Sequence, residues 1–198
     1  MRHRELIERQ WVLIREPRSI GLLILASIPL MVLSSLFTLL ILSLVSSISF
    51  EEFGLNASSI SISINLFHVV GIFLLLLIHE FIHLSLIPSF IKSEKTFFGI
   101  NPCYGFVYSE ELISKNRYII ITLAPFVIIS VILPVIGGLM GLLNPFAKFL
   151  ILFNAMASSV DILNFILVAK QTPSKSYLTS NGQYTFWTSK SATKPDCR

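Results

Sequence analysis

Four long stretches of the chain are almost free of charge, and the charged residues are concentrated between them. From Ser19 to Phe50 there is no Asp, Glu, Lys or Arg. An α-helix crosses the hydrocarbon layer of a bilayer in about 20 apolar residues, so this run predicts a first spanning helix over 20–45. It is too long for the apolar core of a signal peptide, and Pro29 is a candidate kink. A second run predicts a span over 62–87, uncharged until His79 and Glu80 and stopped by Pro88. A third, over 118–139, contains Pro125 and Pro134 and runs out at Gly137-Gly138. The fourth, over 145–169, opens on Pro145, which suits a first helical turn, and is closed by Lys170.

Composition agrees with that pattern. Hydrophobic residues make up 54% of the 198 positions and charged residues 13%, against about 25% charged in a typical soluble domain. Mean hydropathy is +0.77. These values exclude a disordered chain and a large soluble catalytic domain, and the distant Cys103 and Cys197 do not make a disulfide scaffold. A net charge of +4 raises the question of nucleic acid, but the basic residues form no patch or arm. Arg2, Arg4, Arg9, Arg15 and Arg18 precede the first run; the segment 46–61 has no basic residue and carries Glu51 and Glu52. Lys92, Lys95, Lys115 and Arg117 follow the second run, and the next connection has no basic residue until Lys148. Cytoplasmic flanks are the basic ones, so both termini are placed in the cytoplasm. The expected fold class is therefore all-α: four transmembrane helices in the unit 20–170, a cytoplasmic segment 1–19 and a cytoplasmic tail 171–198. The expected surroundings are membrane lipid, with no nucleic acid, and the charge bias fits the plasma membrane of a prokaryote.

Two polar segments read as β-structure. Lys95–Ser109 is aromatic and β-prone around Asn101-Pro102, which predicts a hairpin or extended loop at the cytoplasmic face. In the tail, Asn181-Gly182 between two β-prone stretches over 176–188 predicts a second hairpin.

The chemistry is carried by the second span. His79-Glu80-Phe81-Ile82-His83 is an H-E-x-x-H sequence. Histidines at i and i+4 project from one helical face and can share a zinc ion, and the glutamate between them has the place of a general base toward the attacking water. Three ionisable residues in five positions of an apolar span are expensive unless they face a functional cavity. Hydrogen-bonded packing residues would have no need of metal-ligand spacing.

A catalytic zinc site usually takes a third protein ligand. Asp161 is the only acidic residue of the third and fourth spans. His79 lies nine residues before Pro88 and Asp161 nine before Lys170, and the second and fourth spans both run from outside to inside, which puts both residues roughly 13 Å from the cytoplasmic end. Asn154, Ser158 and Asp161 recur at i, i+4 and i+7 and share a helical face. Asn154 is a candidate for holding a substrate carbonyl or oxyanion and Asn164 for supporting the ligands, with interhelical hydrogen bonding the alternative for each. His68 is too far along its helix to be a ligand, His3 belongs to the charged N-terminus, and Cys103 reads as a free thiol. Pro125 reads as a packing feature that kinks the third span and opens space beside the site.

These residues resemble the putative zincin peptidases, small four-span proteins distantly similar to site-two-protease-type intramembrane metalloproteases. The resemblance rests on His79-Glu80-x-x-His83 late in a span, Leu123-Ala124-Pro125 in the next, the small-residue run into Asp161 with Asn164 after it, and the β-prone tail. It implies Zn2+ at His79, His83 and Asp161, Glu80 as catalytic base, a peptide or membrane-protein substrate and an active site on the cytoplasmic side. It also suggests that the aromatic loop aligns substrate as an added strand. The chain departs from the site-two proteases around the aspartate, where Ser-Ser-Val precedes Asp161 and Ile follows it, and it has no room for an inserted peptide-binding domain. The expectation is an integral membrane zinc metallopeptidase. Its rivals are a non-enzymatic membrane protein that binds or conducts a divalent metal, an inactive relic acting in assembly, and a hydrolase of non-peptide amides or esters.

Overall fold

The computed structural model describes residues 6–8, 10–17, 19–53, 65–88, 90, 96–101, 104–181 and 184–189. His3, Cys103 and Cys197 lie outside the described residues.

The chain is mostly helical, and four of its helical stretches are long and apolar enough to cross a membrane. The first is α1 (Ile20–Val45), capped by the Ser19 hydroxyl, which accepts from the Leu22 amide at 3.3 Å. It continues through Pro29 and carries three small polar residues on its buried face: Ser27, Ser34 and Thr38 are buried, whereas Leu25, Leu33 and Leu44 are exposed. Small residues let helices approach closely, and Ser34 Oγ donates to the Ala155 carbonyl on a neighbouring helix at 2.8 Å. The second is α2 (Leu66–Leu86), opened by a reciprocal cap between Asn65 and His68. That use explains His68, which packs edge-on against Phe146 far from the other histidines in sequence.

The third stretch is composite. It runs as α3 (Lys115–Pro125), a π-helical segment (Phe126–Ile132) and α4 (Leu133–Leu139). Its two prolines bracket the π segment, as expected where missing N–H groups break the regular bonding ladder. The fourth is α5 (Pro145–Ala157) and α6 (Ser159–Gln171), separated by a one-residue turn at Ser158. Lys148 is buried on α5, donates to the Ser47 carbonyl at 2.6 Å and pairs with Glu52 at 2.8 Å, fastening the short 3₁₀ turn Phe50–Phe53 to this helix.

At the opposite end a sheet gathers the connections. The strands are β1 (Val12–Leu13), β4 (Ile113–Ser114), β5 (Ser176–Asn181) and β6 (Tyr184–Ser189), in the order β1-β6-β5-β4 and antiparallel throughout. The tail hairpin is therefore the centre of a sheet that also ties down Val12–Leu13 and the connection just before α3. A separate hairpin pairs β2 (Thr96–Asn101) with β3 (Tyr104–Ser109) in the aromatic loop. Leu178 and Phe186 are fully buried, and Leu178 packs with Ile14 and Val168, joining sheet to helices. Lys115 Nζ donates to the carbonyls of Ala169 and Thr172 at 3.2 and 2.5 Å, and the Arg117 guanidinium donates to the Leu86 carbonyl at 3.0 and 3.1 Å. Both cations thus satisfy open helix C-termini, where positive charge is favoured.

Glu16, just ahead of α1, is half-buried beside this sheet; burial holds its carboxyl above its ordinary value, and the Thr185 hydroxyl offsets part of that. A carboxyl raised in the folded state binds its proton more tightly folded than unfolded. Its burial therefore destabilises the fold as pH rises through the folded-state value and not at acid pH. Glu16→Gln keeps an acceptor for Thr185, so its stability relative to the native chain rises between about pH 4 and pH 7. Unfolding midpoints in detergent at both pH values check this, and a constant difference refutes it.

Candidate metal centre

Two helices and one carbonyl build the site. On α2 the one-turn spacing stacks His79 and His83 on a single face, with ring centroids 5.0 Å apart and both residues buried. On α6 Asp161 falls in the first turn, where the helix dipole favours negative charge. The Asp161 carboxylate lies with Oδ2 3.2 Å from His79 Nε2 and 3.6 Å from His83 Nε2. One donor atom from each of the three lies within 4.8 Å of the others.

The far side of each imidazole is engaged, and the engagement fixes which nitrogen carries hydrogen. His83 Nδ1 lies 2.8 Å from the Ile121 carbonyl, which can only accept, so Nδ1 donates. His79 Nδ1 lies 2.9 Å from Asn154 Oδ1. The Asn154 amide is oriented by its other end, because Nδ2 donates to the Pro125 carbonyl at 3.3 Å and to Ser130 Oγ at 2.9 Å. Ser130 in turn donates to the Ile151 carbonyl at 3.1 Å. Asn154 and Ser130 are both fully buried. Each histidine therefore uses Nδ1 as a donor, which in the neutral ring leaves the Nε2 lone pair facing a carboxylate oxygen.

Three acceptors facing one another repel unless a proton or a cation sits among them. Two donors each 2.0–2.1 Å from a tetrahedral zinc ion lie about 3.4 Å apart, and the separations of 3.2 and 3.6 Å bracket that value. Two imidazoles and a carboxylate with a fourth direction left open also form the donor set of a catalytic zinc site. The residues fit the ion.

Glu80 is half-buried next to His79, and no hydrogen bond holds its carboxylate among the described residues. Asn164 is half-buried one turn beyond Asp161 and makes no hydrogen bond to the histidines or to Asp161. The structure thus gives Asn154 a bond to the His79 ring and places Asn164 outside the polar group. Sequence reasoning did not find Ser130 or the Ile121 carbonyl. Ser130 is the only hydroxyl of the π segment and could have been noticed as such; a backbone carbonyl has no residue signature at all.

On the side away from the sheet, an apolar cavity of about 500 Å³ lies between α2, the π segment and α5. Phe67, Leu74, Ile129 and Phe146 line it, and it reaches Ile78 and Ile151, each within a few residues of the polar group.

Among known proteins, no curated protein and no solved structure matches the chain. A family model does: the one described as "Putative zincin peptidase" matches residues 72–177, from the second apolar helix into the first strand of the tail hairpin. That stretch contains His79, Glu80, His83, Pro125, Asn154 and Asp161. With more than half of its length in the match, this chain belongs to the putative zincin peptidase family.

Proposed function

We propose that the protein is an integral membrane zinc metallopeptidase that hydrolyses a peptide bond near or within the cytoplasmic side of the bilayer. The observation that carries this reading is the convergence of His79 Nε2, His83 Nε2 and Asp161 Oδ2 with both Nδ1 atoms already committed elsewhere. Membership of a zincin family supports zinc as the ion.

When bound, zinc supplies Lewis acidity toward a water and a carbonyl. The chain's own part starts with Glu80. As the free carboxylate beside the ligands it takes the proton of the attacking water and returns it to the leaving amine. Asn154 and the Ile121 carbonyl keep the two rings from turning, so that the ligands need no reorganisation during turnover. The helices restrict bulk water, and a helical substrate has to unwind before its amides are free to react. The apolar cavity reaching Ile78 gives an apolar side chain of the substrate a place beside the reacting bond.

The membrane setting is supported by the exposed faces of the four apolar helices, among them Leu25, Leu33, Leu66 and Leu139. Strand β1, ahead of the first apolar helix, and the β5–β6 hairpin, after the last, meet in one sheet with β4, at the end where Lys115, Arg117, Lys170 and Lys175 lie. Glu51 and Glu52 lie at the other end. Basic residues at the sheet end favour the cytoplasm there.

The direct test is metal analysis of the full chain purified in mild detergent. One zinc per chain is expected, removed by a chelator and restored by added zinc together with hydrolysis of a quenched-fluorescence peptide library. A protein that holds no zinc after reconstitution overturns the reading.

A further inference from the structure

Pro125 does more than bend its helix. In an α-helix the N–H of residue 125 would bond the carbonyl of residue 121, and proline has no N–H. The next amide along, that of Phe126, goes to the Leu123 carbonyl instead. The Ile121 carbonyl is thus left without its helical partner, in a buried position where an unpaired acceptor is costly. It is this carbonyl that accepts the hydrogen of His83 Nδ1, at 2.8 Å. Pro125 also presents its own carbonyl to Asn154 Nδ2, and Asn154 holds His79.

We propose that Pro125 is a positioning residue for the metal ligands: the hydrogen it lacks leaves the Ile121 carbonyl open to His83, which turns His83 Nε2 toward Asp161. The proposal rests on the zinc reading above and deepens it. It distinguishes the missing N–H from the bend. A proline needed only for its bend or its packing would act through the ring, whereas here the ring is incidental and the absent donor is the active feature.

The test is zinc affinity, measured by chelator competition on the full chain in detergent, with the visible spectrum of the cobalt-loaded protein as a report on ligand geometry. Three forms are compared: native, Pro125→Ala, and the chain carrying lactic acid at position 125. Lactic acid is the ester counterpart of alanine, with oxygen in place of the N–H, so it lacks both the donor and the ring. Pro125→Ala returns a donor to Ile121, which then competes with His83. Loss of a hydrogen bond that orients a ligand costs about 10–100-fold in metal affinity, and that loss is expected here with a shifted cobalt spectrum. The lactic acid form is expected to bind zinc like the native chain, with the native spectrum. Native affinity in Pro125→Ala overturns the proposal, as does a lactic acid form that folds and binds weakly. If Pro125→Ala fails to fold, the lactic acid form decides alone. A native chain that binds no zinc defeats the zinc reading itself, a result seen before any variant is compared.

Discussion

Replacing Glu80 by glutamine is expected to abolish peptide hydrolysis and to leave one zinc per chain in place. The substitution keeps size and shape and removes the basic carboxylate. The ion stays because Glu80 is not among the converging donors, which are His79, His83 and Asp161. General-base catalysis is worth about 10²–10⁴ in rate. Turnover of a peptide identified with the native enzyme should therefore drop by at least that much, while metal analysis of the same preparation is unchanged. The pairing of the two measurements separates the function classes. A protein that merely binds or conducts a divalent metal needs the ligands and not the base, so the substitution would leave its metal traffic intact. A variant that keeps most of its hydrolytic rate removes Glu80 from the mechanism, and one that loses its zinc makes Glu80 a structural support of the ligands instead.

How much of this was legible in the sequence depended on whether the feature lived in side-chain type or in backbone bonding. The four apolar runs are set by composition alone, and the helices follow them: α1 covers the predicted 20–45, α2 (Leu66–Leu86) falls within the predicted 62–87, whose first residues lie outside the described ones, and the third and fourth stretches start or end within three residues of their predicted limits. His79 and His83 share a face because 3.6 residues per turn requires it. Asp161 could be picked out because an apolar span tolerates so few carboxylates, and its carboxylate lies against the histidines in the structure. The sheet was legible only in its centre. The Asn181-Gly182 signal marks β5 and β6, but β1 and β4 are two residues each and pair with partners far along the chain, where no local pattern points. The orienting bonds were hidden for a related reason. The Ile121 carbonyl is like any other until Pro125 is read as a missing donor, and Asn154 had two equally good uses until its amide was seen spanning from Pro125 and Ser130 to His79.

Asp161→Ala is expected to release the zinc. The carboxylate is the only anionic donor of the three, so its removal takes away a ligand and also the charge that offsets the ion in an apolar interior. Affinity should fall by more than the ~100-fold that loss of an orienting hydrogen bond can cost, enough that purification strips the ion. The expected result is a folded helical chain without zinc and without hydrolysis, read by metal analysis, circular dichroism and peptide turnover on one preparation. Asn164→Ala serves as the matched control, since Asn164 lies on the same helix outside the polar group. It should keep its zinc. If Asp161→Ala retains one zinc per chain, the ion is held without the carboxylate, and the three-donor centre is wrong even though the histidines remain. If both variants lose zinc alike, the effect belongs to the packing of α6 and not to the carboxylate. Zinc lost in the aspartate variant and kept in the asparagine one ties the metal to the half-buried Asp161 carboxylate that faces His79 and His83.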